Sequence, residues 1–124
     1  MKHALILEDD DDIRVTLTML LEDEGFSVVH FAAGEDALDY LRQHPEPHLI
    51  LTDWLMPIMS GSEFIRQVLE KHIMMQHRFI MIAARSPAWL PAEATATLQK
   101  WQVPYVRKPF NIEDLLATIY EVAN

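Results

Sequence analysis

The sequence predicts an α/β domain in which five parallel strands form a doubly wound sheet of order 2-1-3-4-5. Three observations carry that prediction. Five short aliphatic-rich runs, at residues 4–7, 28–31, 49–51, 79–84 and 103–106, read as strands buried on both faces. Segments with apolar residues at helical spacing separate them, and such alternation implies right-handed crossovers between parallel strands. Charged residues then stand where runs stop: Glu8 and Asp9 after the first, Asp53 after the third, Lys108 after the fifth. In a sheet of this kind the ligand crevice lies at the carboxyl ends of the strands, so these four groups should converge.

Taken in order, Ile13, Leu17, Leu20 and Leu21 mark the first helix, with Gly25 as its stop signal. Gly34 to Gln43 carries Ala37, Leu38 and Leu41 in the same manner, and Phe64, Ile65, Val68 and Leu69 form a third apolar stripe after Gly61. Residues 86–91, with two prolines, should be loop before a short Ala- and Thr-rich helix that ends near Trp101. Ile112, Leu115, Leu116 and Ile119 form the last helix. Pro57 points to a rigid turn after Asp53, and the Lys108–Pro109 bond is of the type that can be cis. With no repeat, linker or low-complexity segment, residues 1–124 read as one domain.

The bulk numbers agree. Half of the 124 residues are hydrophobic and 23% are charged, a globular composition. A chain of this length buries about two thirds of the surface its unfolded form exposes. The apolar runs are far too short to span a bilayer, no signal-peptide pattern opens the chain and there is no cysteine, so a cytoplasmic protein without a membrane partner is expected. The net charge of −9 opposes a phosphate backbone, so direct nucleic-acid binding is not expected.

Residues 8–12 are five consecutive carboxylates. Asp11 and Asp12 fit the acids that a helix dipole favours in a first turn. Glu8 and Asp9 fall at the strand end itself, where close carboxylates repel unless a cation, a proton or a lysine compensates. Asp53 would add a third carboxylate, because the first and third strands flank the topological switch point. A hard cation with oxygen ligands, most naturally Mg²⁺, suits that cluster. An aspartate can attack phosphorus when a cation and a positive side chain, here Lys108, offset the charge of the transferring group.

The segments Leu5-Ile-Leu-Glu-Asp-Asp10, Leu51-Thr-Asp-Trp-Leu-Met-Pro57 with Gly61, and Tyr105-Val-Arg-Lys-Pro-Phe110 resemble the receiver domain of bacterial two-component response regulators. The likeness runs over essentially the whole chain. It implies the flavodoxin-like (βα)5 receiver fold, with Asp53 as phosphoacceptor, Asp9 as a direct Mg²⁺ ligand and Glu8 as a ligand through water. The backbone carbonyl of Leu55 would complete the coordination, Lys108 would contact the phosphoryl oxygens, and the Tyr105 rotamer would report the switch. A histidine kinase or a histidine phosphotransfer protein is the implied donor. The implied output, through the fourth helix, fifth strand and fifth helix, reaches a target protein, an effector domain or a second phosphorylated copy. Enzyme activity would be limited to self-phosphorylation from small donors and slow self-dephosphorylation.

One position departs from the family pattern. Receivers usually carry Thr or Ser at the end of the fourth strand, and Ala83 stands there without a hydroxyl. A hydrogen bond to a charged group contributes roughly 1.5 to 3 kcal/mol, a bias of about 10- to 150-fold. The alternative reading is therefore a pseudo-receiver that signals without phosphorylation. Trp89 is expected to be an exposed contact and Trp101 to be core or a half-buried edge. The six histidines read as scattered surface residues, with Pro45 and Pro47 keeping His44 and His48 off a shared helix face. The seven methionines read as packing.

Overall fold

The computed structural model describes residues 2–56, 58–70 and 77–123. Five parallel strands, β1 (His3–Leu7), β2 (Ser27–Phe31), β3 (His48–Asp53), β4 (Arg78–Ala83) and β5 (Tyr105–Arg107), form one sheet of order β2-β1-β3-β4-β5. The helices α1 (Asp11–Asp23), α2 (Gly34–Gln43), α3 (Gly61–Glu70), α4 (Ala92–Lys100) and α5 (Ile112–Ala123) alternate with them. The predicted fold class and strand order are those observed.

Alternation along the strands divides the core into two layers. Ala4 and Ile6 of β1, Leu49 and Leu51 of β3, and Ile80 and Ile82 of β4 face Leu17 and Leu21 of α1 and Leu115 and Ile119 of α5. The intervening Leu5, Leu7, Ile50, Phe79 and Met81 face α2, α3 and α4 through Leu38, Leu41, Phe64, Ile65, Ala94 and Leu98. Every residue of β3 is buried, as a central strand covered on both faces requires.

Local chemistry sets the helix ends that matter for the site. Asp10 caps α1 by accepting the Ile13 N–H on Oδ1 at 3.0 Å. The helix stops in a Schellman motif: Gly25, at φ 92°, donates to the Glu22 carbonyl and Phe26 donates to the Leu21 carbonyl. Asp11 and Asp12 occupy the first turn as the dipole argument requires, and Asp11 pairs with Arg14 at 2.6 Å.

Several expectations need correction. The edge strands β2 and β5 are only half covered, because each has a neighbour on one side alone. β5 starts at Tyr105, two residues later than expected, since Pro104 lacks an N–H and enters the ladder only through its carbonyl, which accepts from Met81. β4 is shifted to Arg78–Ala83. Residues 86–91 are not wholly irregular: Pro87–Trp89 form a 3₁₀ turn capped by the Ser86 hydroxyl, and Leu90 is buried. Ile112 of the last apolar stripe is exposed. Trp101 is neither core nor half-buried but exposed at the end of α4, with the Lys100 ammonium 5.2 Å from its ring centre. Trp89 is exposed, as expected. Met56, Met59 and Met81 pack in the core while Met19 is exposed. His48 is fully buried rather than at the surface, and burial holds its imidazole below the ordinary pKa. Pro57 and the Leu69 side chain lie outside the described residues.

Gly61 opens α3 beneath the carboxyl end of β3, and its N–H donates to the Trp54 carbonyl at 2.8 Å. A Cβ there would lie 2.2 Å from the Asp53 carbonyl oxygen, so backbone would have to move. Gly61→Ala should therefore lower unfolding free energy by about 1 to 3 kcal/mol in urea denaturation. A loss within about 0.5 kcal/mol, ordinary for a surface substitution, would show that the close approach carries no strain.

Candidate functional site

The carboxyl ends of β1, β3, β4 and β5 bring the expected charges into one cleft of about 410 Å³. Glu8 follows β1 directly and its N–H extends the ladder to the Phe31 carbonyl at 3.0 Å. Asp53 is the last residue of β3, and both carboxylates are buried. Lys108 is carried in from β5: its N–H donates to the Ala83 carbonyl at 2.8 Å, and the Lys108–Pro109 bond that follows is cis. The ammonium then donates to Glu8 Oε1 at 2.5 Å and to Asp53 Oδ2 at 3.0 Å. Asp9, Leu55 and Ala83 line the same cleft, Asp9 and Leu55 exposed and Ala83 buried.

One lysine does not balance three carboxylates. Glu8, Asp9 and Asp53 each present an oxygen within 4.8 Å of the others. Asp53 Oδ1 is buried and has no hydrogen-bond partner among the described residues, an acceptor left open beside a lysine-held twin. Burial pushes the Glu8 carboxyl up to about 7; the Lys108 hydrogen bond draws it back and the Asp53 charge pushes it further up. Burial alone would lower the Lys108 ammonium, but its hydrogen bonds to Glu8 and Asp53 win and raise it, so it stays charged. All-oxygen donors with residual negative charge fit a hard divalent cation such as Mg²⁺.

Tyr105 stands on β5 at the rim, and its hydroxyl donates to the Arg85 carbonyl in the loop after β4. The Arg85 guanidinium lies 5.7 Å from the centre of the exposed Trp89 ring. Three contributors were not singled out from sequence. Asp10 holds the helix start, although an Asp just before a helical stripe is a cap signal. Arg14 donates to the Glu8 carbonyl at 2.9 Å and so steadies the backbone that presents Glu8. Arg85 lines the cleft, and nothing in its spacing foretold that.

The profile of the response regulator receiver domain matches residues 4–120. The response regulator receiver protein CpdR of Brucella abortus is 34% identical over 123 residues, covering 96% of this chain and 94% of that protein. The phosphate regulon transcriptional regulatory protein PhoB of Escherichia coli is 30% identical over 121 residues, covering 98% of this chain but 51% of PhoB. Among solved structures, the chemotaxis protein CheY4 of Vibrio cholerae superposes with a TM-score of 0.81 at 27% identity, covering 98% of each chain. The chain belongs to the response regulator receiver domain family, the receiving module of two-component systems. Among the described residues no helix is long and apolar enough to cross a membrane.

The Glu8 shift carries a signed pH dependence for the metal-free protein. Its folded value, about 7, lies above the ordinary 4.5, so the folded state holds a proton that the unfolded chain has released. The contribution is fully present below 4.5 and is lost as pH rises toward 7. Carboxyl carbon shifts followed by NMR should give Glu8 a midpoint near 7 in the metal-free wild type, lower in Asp53→Asn and higher in Lys108→Met. A midpoint unmoved by either variant would rule out the coupling among the three side chains.

Proposed function

We propose that this chain is a single receiver domain over residues 1–124 that accepts a phosphoryl group on Asp53 and relays the signal by protein–protein contacts. The observation that carries the proposal is the asymmetry of the Asp53 carboxylate: Lys108 holds Oδ2, while Oδ1 is buried without a partner among the described residues in an open cleft. A carboxylate oxygen with a free lone pair and a fixed orientation is the nucleophile such a transfer needs.

In the proposed transfer Asp53 Oδ1 forms the new oxygen–phosphorus bond as the donor's phosphorus–nitrogen bond breaks. The departing imidazole keeps the bonding electron pair. Lys108 would follow the charge from the carboxylate to the phosphoryl oxygens from a fixed base, because its backbone N–H is already held by the Ala83 carbonyl. Glu8, Asp9, Asp53 and the Leu55 carbonyl are the groups that would hold Mg²⁺, which would supply neutralisation of the carboxylates and attraction for the phosphoryl group. The donor is a histidine kinase or a histidine phosphotransfer protein. The receiver of the signal is a separate protein, an effector domain or a second phosphorylated copy, and the site of action is the cytoplasm. Beyond self-phosphorylation from small donors and slow self-dephosphorylation, no catalysis is assigned to the chain.

Ala83 shapes the output. Its buried methyl sits on the cleft wall and offers no donor to a phosphoryl oxygen, so the loop after β4 is drawn inward less strongly than a hydroxyl would draw it. The Tyr105 bond to Arg85 holds that loop meanwhile.

Two measurements test the proposal. Amide spectra recorded with Mg²⁺ and beryllofluoride should shift around Asp53 in the wild type and not in Asp53→Asn; a wild type that does not respond would move the assignment to a pseudo-receiver. Ala83→Thr should then enlarge the shift at Tyr105 and the loop, with a population bias larger by about 10- to 150-fold. An unchanged response in Ala83→Thr would remove Ala83 as the cause of weak switching.

A further inference from the structure

The opposite edge of the sheet holds a second constellation, remote from the acid cleft. His3, Tyr40 and His77 gather there around His48, with His44 stacked on Tyr40, although nothing in their sequence spacing brings them together. His3 and His48 are register partners in the β1–β3 ladder, so parallel pairing puts both rings on one face, with centroids 5.4 Å apart. Glu46 enters from the segment just before β3, between Pro45 and Pro47, whose rings restrict the backbone on either side of it. One ligand atom from each of His3, Glu46 and His48 lies within 4.8 Å of the other two.

A second observation concerns His48 itself. Its Nδ1 lies 2.7 Å from the Glu46 carbonyl, which can only accept, so Nδ1 carries the proton and Nε2 the lone pair. The Tyr40 hydroxyl reaches Nε2 only at 3.4 Å, beyond the usual hydrogen-bond range, so that lone pair is weakly engaged. An imidazole whose N–H is pinned by a carbonyl, leaving the other nitrogen to coordinate, is the arrangement found in metal-bound histidines. The His48 backbone N–H also donates to His77 Nδ1 at 3.0 Å, which steadies the start of the strand that carries this ligand.

We propose that His3, Glu46 and His48 form a second metal site, for a borderline divalent ion of the Zn²⁺ class, at the amino-terminal edge of the sheet. Two imidazoles and one carboxylate select such an ion over Mg²⁺, which prefers oxygen alone. Three protein ligands leave a fourth position for water. Both histidines sit on strands, which fix their backbones, while the His3 and Glu46 side chains are half-buried and open to an incoming ion. Binding would clamp β1 to β3 at the end remote from Asp53.

The test uses the untagged full chain titrated calorimetrically with Zn²⁺, with excess Mg²⁺ present to occupy oxygen-only sites, and Co²⁺ as the spectroscopic probe. One equivalent of Zn²⁺ should bind equally well to the wild type and to Asp53→Asn. Affinity should fall by about tenfold or more in His3→Gln and in Glu46→Gln, both on half-buried side chains whose folding amide spectra can verify. Co²⁺ should give the intense visible bands of a four-coordinate ion in the wild type and not in His3→Gln. Absence of stoichiometric binding, binding lost in Asp53→Asn, or binding indifferent to both ligand variants would each overturn the proposal.

Discussion

The Lys108 ammonium is the point at which three strands are tied by charge. It bonds Glu8 after β1 and Asp53 at the end of β3, residues 100 and 55 positions away along the chain, from a position just past β5. Remove it and two buried carboxylates face each other without their shared cation, and Glu8 is pushed still further toward its protonated form. Even with it, burial keeps the Glu8 carboxyl raised, to about 7, because one ammonium only partly offsets the desolvation of the site. The site is therefore held away from its own stability optimum: an apolar cluster of the same volume would pack there without desolvation cost. Residual negative charge is what makes the cleft attractive to a cation, and the same charge destabilises the protein when none is bound.

Most of what presents these groups is backbone, with the Arg14 guanidinium on the Glu8 carbonyl as a side-chain support. The Lys108 N–H is held by the Ala83 carbonyl, the Glu8 N–H by the Phe31 carbonyl, and Asp53 by its place in a fully buried strand. Gly61 is required because α3 begins against the Asp53 carbonyl itself, where any Cβ would collide. The scaffold is rigid where the charges are presented. The rim differs, since Leu55 and Ile58 are exposed there and Ile58 takes a left-handed φ of 72° that a β-branched residue disfavours.

The acid cleft was legible in the sequence because its residues stand at the ends of apolar runs, and a parallel sheet sends all such ends to one edge. The helices were legible because their stripes keep a period near 3.6. The left-handed backbone at Ile58 was not: Pro57 beside it signals a turn, but a β-branched residue does not announce a positive φ. Neither was the exposure of Trp101, which depends on how far α4 extends beyond the sheet and not on the side chain's own hydrophobicity. The histidines failed differently. Spacing along the chain reveals helix-face pairs, whereas His3 and His48 meet through strand register across 45 residues. Cross-strand pairs are invisible to any reading that looks only along the chain.

In the proposed receiver, the absence of a hydroxyl at residue 83 would shift the burden of coupling onto Tyr105. Its ring is anchored on β5, the strand next to β4, and its hydroxyl holds the Arg85 carbonyl two residues past Ala83. Arg85 in turn lies against Trp89, so the loop is tied at its start to β5 and at its 3₁₀ turn to its own aromatic. In the proposed transfer, a charge arriving at Asp53 would reach the loop by two routes: through the cleft, whose wall includes Arg85, and through Lys108, whose backbone N–H is held by the Ala83 carbonyl. Neither route needs a side-chain donor at residue 83. The guanidinium can supply in longer reach what the hydroxyl would have supplied at close contact, at the cost of ordering a longer side chain. Drawing Arg85 inward would lift it from Trp89 and strain the Tyr105 bond together, so on the proposed mechanism the loop, and not the sheet, would be the bistable element.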